Sequence, residues 1–141
     1  MERNWWRLFA RHHYLTSALP MNAKTYIGFV DGRPAAFVSA NRFPHGSIKN
    51  FIQISRIVTL PDFQGIGIAS ITIDAVADYY NQKKQRVIIT TSHPGMIRSL
   101  NKNEKWNLTH QGRHKKHNGL LKKCGSQNRI TTSWEYIRKT I

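Results

Sequence analysis

The stretch "FIQISRIVTLPDFQGIGIASITIDAVADYY", residues 51–80, constrains the fold more than any other. Its first ten residues are rich in β-branched side chains and stop at Pro61, which cannot donate to a strand ladder, so they read as a strand. From Ile66 to Tyr80 the apolar set Ile66, Ala69, Ile73, Val76, Ala77 and Tyr80 keeps the spacing of a helix with one buried face. Between strand and helix stand Gln64, Gly65 and Gly67, with few side chains able to react. A helix N-terminus carries N–H groups without intrahelical partners and a partial positive charge. Glycines at that point let an anion such as a diphosphate approach those N–H groups. The plainer alternative is a tight connection that needs glycine only for its backbone angles. The segment is not a Walker loop, since no Gly-Lys-Ser/Thr follows, nor a dinucleotide fingerprint, since the third glycine is missing.

The flanking sequence supplies the rest of an α/β domain. Trp5, Leu8, Phe9 and the pair His12–His13 fall at helical spacing, which predicts a helix over 4–14. "TYIGFVDGRPAAFVSA" reads as a hairpin about Asp31-Gly32, and "NRFPHGSIKN" as a loop punctuated by Pro44 and Gly46. "RVIITTS" is a short strand, and Pro94 suits the first turn of a helix "PGMIRSLNKN". "WNLTHQGR" and "RITTSWEYIRK" close the chain as two strands with a basic loop, about 113–128, inserted between them. At 141 residues the expectation is one domain, 1–141, with a mixed sheet and flanking helices.

Charge narrows the partners. The formal net charge is +15, unevenly spread: residues 1–78 hold eight Lys/Arg against five acids, and residues 79–141 hold fourteen against two. Arg113, Lys115, Lys116, Lys122 and Lys123 form the densest run, a patch suited to phosphate-rich partners and above all to nucleic acid. A solvated basic loop or an anionic membrane surface would carry the same charge. No apolar run approaches membrane-span length, the N-terminus is a poor signal peptide, and the single Cys124 suits a reducing cytoplasm.

Gln64-Gly65-Ile66-Gly67-Ile68-Ala69 resembles the acyl-CoA-binding motif of the GNAT acetyltransferase superfamily, Gln/Arg-x-x-Gly-x-Gly/Ala, with every specified position filled. "ISRIVTLPDF" is similar to that family's fourth strand, "RVIITTS" to its fifth, and "PGMIRSLNKNEKW" to the helix beside the pantetheine arm. The likeness covers roughly residues 24 to 113. It implies a GNAT-like fold with a V-shaped cleft between the fourth and fifth strands, and acetyl-CoA or a related acyl-CoA as cofactor. It also implies that backbone groups of Ile57, Val58 and Thr59 hold the pantetheine, and that N–H groups from Gly65 through Ile66, Gly67, Ile68 and Ala69 to Ser70 hold the pyrophosphate. An N–H near Val58 would stabilise the oxyanion.

The proton-transfer groups are less marked. The tyrosine that many relatives carry five residues before the Phe of Gly-Phe corresponds to Asn101, counted back from Trp106, so that acid is absent. His93 and Ser92 are the nearest polar candidates; His93 would accept a proton from an attacking amine or simply cap the next helix. Ser99 is a weaker candidate. His12, His13, Arg42 and His45 fall where the resemblance places the acceptor wall; adjacent histidines point to different helix faces, so at most one would face the site. A metal held by the histidines with Cys124 and Glu135 is disfavoured, and none is expected. Trp5, Trp6 and Trp134 are more often packing residues than base-stacking platforms.

"FARHHYL", "SRIVTLPDFQGIGIA", "TTSHPGMIRSLNKNEKW" and "RITTSWEYI" together resemble a compact group of phage and prophage GNAT proteins similar to the Mom-type DNA-modification proteins. That narrower resemblance implies acylation or carbamoylmethylation of a DNA base, adenine foremost, in a host cytoplasm, with the basic run on phosphates and room for a homodimer. An ordinary N-acetyltransferase acting on a protein, peptide or small amine is the alternative. A non-enzymatic binding module is the third, and the intact motif argues against it.

Overall fold

Asp31 and Gly32 set the first pairing. Their positive φ angles of 48° and 74° make the two-residue turn whose twist matches flanking strands, so β1 (Lys24–Val30) folds back on β2 (Arg33–Arg42). β3 (Phe51–Thr59) adds antiparallel to β2. The computed structural model describes residues 2–13, 18–42, 50–113 and 130–137. From β3 the chain crosses through α2 (Ile68–Gln82) to β4 (Arg86–Thr91), which pairs parallel with β3, the one such pair among the described residues. α3 (Pro94–Lys102) leads to β5 (Trp106–Arg113), and β6 (Ile130–Tyr136) inserts between β4 and β5. The sheet order is β1-β2-β3-β4-β6-β5, the mixed α/β architecture expected.

Each face of the sheet has its own core. Val38, Ala40, Ile52, Ile54, Val87 and Ile89 meet Ile73, Val76, Ala77 and Tyr80 of α2 and Leu100 of α3. On the opposite face Phe37 and Val58 meet Trp6 and Phe9. The alternation along β2 sorts its residues between these faces, and Phe37 sits with its ring 4.9 Å from Trp6 and 5.5 Å from Phe9.

Two boundaries differ from expectation. The single helix predicted over 4–14 is instead a 3-10 turn Glu2–Trp5, one α-turn α1 (Trp6–Phe9) and a second 3-10 turn Ala10–His12. Neither α1 nor the second turn has a side-chain N-cap, and so short a helix relies on packing Trp6 and Phe9. α2 starts at Ile68 rather than Ile66, because Gly65 and Gly67 hold φ angles of 81° and 85° that no right-handed helix allows. The basic loop, with Lys115, Lys116, Lys122, Lys123 and Cys124, lies outside the described residues, as does His45.

Candidate active site

The site begins where two strands part. β3 and β4 pair only from Phe51↔Arg86 to Ile54↔Ile89. At the next residue β3 carries a bulge: Ser39 faces Arg56 while Ala40 faces Ile54, so Ser55 is one residue too many. Beyond it β3 follows β2 and β4 follows β6, to which Thr132 Oγ1 also ties the Thr91 carbonyl at 3.1 Å. These strands, third and fourth in this chain, are the pair likened to the family's fourth and fifth. Between them opens a cleft of about 890 Å³, walled on one side by Ile54–Thr59 and on the other by Ile89–Thr91, His93, Met96 and Ser99.

Register decides which peptide groups face that opening. Leu60 N–H donates to the Ala35 carbonyl at 2.9 Å, and antiparallel hydrogen-bonded pairs recur every second residue. Val58 therefore turns its N–H and C=O toward β2, while Ile57 and Thr59 turn theirs into the cleft. The Gln64 side-chain amide reaches the Thr59 carbonyl at 3.2 Å, as this orientation requires. The oxyanion donor expected near Val58 thus falls to its neighbours, and Val58 contributes its side chain to the core.

The glycine turn closes one end of the cleft. Gly67 is the N-cap of α2, and the first intrahelical bond runs from Ile71 N–H to the Gly67 carbonyl at 3.1 Å. The N–H groups of Ile68, Ala69 and Ser70 consequently have no carbonyl of their own helix to meet. No acidic side chain occupies the first turn, and a Cβ added at Gly65 or Gly67 would meet nothing within 4 Å. An open, partly positive cradle fits a diphosphate. Gln64, Gly65, Gly67, Ile68, Ala69 and Ser70 all line the cleft; Ile66 does not, its side chain being exposed.

The remaining candidates divide. His93 is the N-cap of α3: its Nδ1 accepts from Met96 N–H at 3.3 Å, and its own N–H donates to Thr91 Oγ1 at 3.1 Å. A neutral ring that accepts at Nδ1 carries its proton on Nε2. His93 lines the cleft and so does Ser99, whereas Ser92 does not. Asn101 is exposed. Contrary to the expectation that one histidine at most would face the site, both His12 and His13 line the cleft, because the 3-10 turn ends there and His13 is extended at ψ 128°. Arg42 ends β2, exposed and outside the lining. Trp6 and Trp134 are buried; Trp5 packs edge-on to Phe29. Glu135 is held by Arg86 in a two-point ion pair at 2.7 and 2.9 Å. Among the described residues no group of three His, Cys, Asp or Glu could hold a metal.

One network had no local signature. Asp74 of α2 accepts from the Trp106 indole at 2.7 Å and from the Asn103 amide at 3.0 and 3.1 Å, with Lys105 at 3.6 Å. It pins the α3–β5 junction, and with it the cleft wall carrying Ser99, to the helix that bears the glycine cradle.

A splayed parallel pair beside a glycine-opened helix N-terminus gives one cleft with an anion cradle at its end, the site architecture of an acyl-group transferase. The profile of the Acetyltransferase (GNAT) family matches residues 2–101, and the chain belongs to that family, whose members use acetyl-CoA. Solved structures agree in fold. Ribosomal-protein-alanine N-acetyltransferases from Escherichia coli and Brucella melitensis superpose with TM-scores of 0.60 and 0.63 at 12% and 10% identity. They cover 84% and 82% of this chain, which spans 70% and 69% of theirs. A streptothricin acetyltransferase from Bacillus anthracis, solved with acetyl coenzyme A, gives 0.61 at 11% identity, with 84% of this chain and 64% of that one covered. No curated protein sequence matches. Among the described residues no helix is long and apolar enough to cross a membrane.

Proposed function

We propose that this chain is an acetyl-CoA-dependent N-acetyltransferase whose acceptor is the amine of a protein, a peptide or a small molecule. The observation that carries the reading is the continuity of one cleft: the cradle of Gly65 to Ser70, the inward peptide groups of Ile57 and Thr59, and a polar wall from His12, His13, Asn41 and Gln53 share it. Acetyl-CoA, when bound, supplies an activated acyl group as a thioester. The N–H groups of the α2 N-terminus bind the pyrophosphate, and the peptide groups of Ile57 and Thr59 bind the pantetheine amides. The Ile57 N–H is the backbone donor for a carbonyl oxygen gaining negative charge. His93, its Nδ1 engaged by the helix cap, acts at the cleft through Nε2–H as a donor rather than as a base. Among the described residues no carboxylate lines the cleft, so the amine loses its proton to water or to the His12–His13 pair.

The net charge of +15 favours a second reading, transfer to a base of DNA. The family match and the structures above concern acetyl transfer and point to no nucleic-acid acceptor. One experiment separates the two. Thiol release from acetyl-CoA is followed with an amine and peptide panel, and DNA from cells expressing the chain is digested to nucleosides and weighed by mass spectrometry. Gly67→Glu, which blocks the cradle, is the control for both. Acetylated amine with unchanged nucleosides supports the proposal; a new nucleoside mass that vanishes in Gly67→Glu replaces it with base modification.

A further inference from the structure

Resting on that reading, we infer that the acceptor is an amine at the end of an acidic peptide, recognised by a cleft that holds cation and carboxamide and, among the described residues, no carboxylate. The seven acids can be placed one by one. Asp31 is in the β1–β2 turn and Glu104 in the α3–β5 turn. Asp62 pairs with Arg33, Asp74 with the α3–β5 junction, Asp78 with Gln82, and Glu135 with Arg86. Residues 14–17, 43–49, 114–129 and 138–141 contain no Asp or Glu at all. Only Glu2 is left, on the first 3-10 turn.

What the cleft does hold is complementary to an anion. Arg56 lines it, and the bulge at Ser55 puts Arg56 on the face of β3 that looks toward His12 and His13. Its Nε and Nη2 donate to the Ala18 carbonyl at 3.3 and 3.1 Å and its Nη1 to the Ser55 carbonyl at 2.8 Å. These are neutral acceptors, so the full positive charge is uncompensated by any carboxylate among the described residues. Beside it, Asn41 pairs across the strands with Gln53, and both line the cleft. Asn41 Oδ1 is buried and has no hydrogen-bond partner among the described residues. An orphaned buried carbonyl is costly, and a ligand N–H donor would satisfy it. An amine or peptide N–H meets that need while the acidic side chains that follow meet Arg56. Polycationic amines have nothing here to bind their charge.

The test uses matched tripeptides Ala-Glu-Glu, Ala-Gln-Gln and Ala-Lys-Lys, with spermidine and a single-stranded oligonucleotide, each assayed for acetyl transfer with the full chain. Placing or removing one charge at such range changes kcat/KM by about tenfold. The acidic peptide should therefore exceed the basic one by roughly tenfold or more, and added salt should shrink the ratio. Gln53→Glu, which introduces a carboxylate beside Asn41, should lower the ratio by about tenfold. Equal use of the peptides, or preference for Ala-Lys-Lys or spermidine, overturns the inference and leaves the amine acetyltransferase standing. Transfer to the oligonucleotide alone, or to no amine despite coenzyme A binding, overturns both.

Discussion

Replacing Gly67 by alanine separates the two reasons a glycine can be there. At φ 85° and ψ 4° the residue lies in the left-handed region, where a side chain costs about 1–2 kcal/mol. An added Cβ meets nothing within 4 Å, so no clash enlarges that loss. For a chain of this size the melting temperature should fall by roughly 3–8 °C. Binding is a different matter, because the empty space over Gly67 belongs to the cleft. A pyrophosphate pushed off one or two charge-assisted N–H bonds loses about 1.5–3 kcal/mol for each, so coenzyme A should bind about tenfold to a hundredfold or more weaker. Gly32→Ala is the matched control. Its φ is 74°, its surroundings are equally empty, and it sits in the β1–β2 turn outside the cleft. Thermal unfolding followed by circular dichroism should give similar losses for the two variants, while calorimetric titration with coenzyme A should distinguish them. If both variants bind coenzyme A to within about twofold of the parent, the glycine serves the turn alone, and the reading of the cradle is wrong.

Three further outcomes follow from single contacts. Asp74→Ala leaves the buried Trp106 indole N–H and the Asn103 amide without their acceptor, which should cost about 2–4 kcal/mol by chemical denaturation; an unchanged midpoint would show that water replaces the carboxylate. His93→Ala should lose about 0.5–2 kcal/mol of stability, and His93→Asp, a good N-cap, should restore it without restoring turnover. If the aspartate variant recovers turnover as well, His93 is a cap and nothing more. The Tyr79 phenol, hydrogen-bonded to Lys83 and close to its charge, titrates below the ordinary tyrosine range. Ultraviolet titration should therefore show one phenol ionising early, since the phenolate is the form that the ammonium favours. Lys83→Met should move it back up, and failure to do so would place the cause elsewhere.

The strand–glycine–helix segment was legible because backbone constraints are local there: Pro61 ends the strand, and Gly65 and Gly67 mark positive φ. Asp31-Gly32 was legible for the same reason. The N-terminal helix was misread because apolar spacing in 4–14 reports the buried face of Trp6 and Phe9 and says nothing about caps. Asp74 was invisible, since its partners lie 29 and 32 residues away and only the folded junction brings them together. Ile57 and Thr59 were grouped with Val58, and the oxyanion donor was placed near Val58, because the direction of each peptide is set by pairing to β2 and is not legible in the sequence. Yet a trace of that register is written in "FIQISRIVTL". Ile52 and Ile54 are two apart, but Ile57, on the same face, is three further on, and a period of two can absorb that only through an extra residue.

That residue, Ser55, offers the test of what makes the opening. Deleting it restores strict alternation: Ile52, Ile54 and Ile57 stay on the α2 face, and Phe37 still meets Val58. The core therefore survives, and the visible losses are the bond between Ser39 Oγ and Ser55 Oγ at 2.9 Å and that from Arg56 Nη1 to the Ser55 carbonyl at 2.8 Å, each worth about 1 kcal/mol. The kink that turns β3 away from β4 goes with it, since a bulge bends and twists the strand that carries it. β3 and β4 should then pair beyond Ile54↔Ile89 and close over the peptide groups of Ile57 and Thr59. The deletion variant is expected to unfold cooperatively near the parent's midpoint and to lose coenzyme A binding by about a hundredfold, a larger effect than any single side chain in the cleft should have. A folded variant that binds normally would mean that β6, by capturing β4, opens the sheet without help from the bulge. An unfolded one would mean that Ser55 carries packing energy that its half-buried hydroxyl does not reveal.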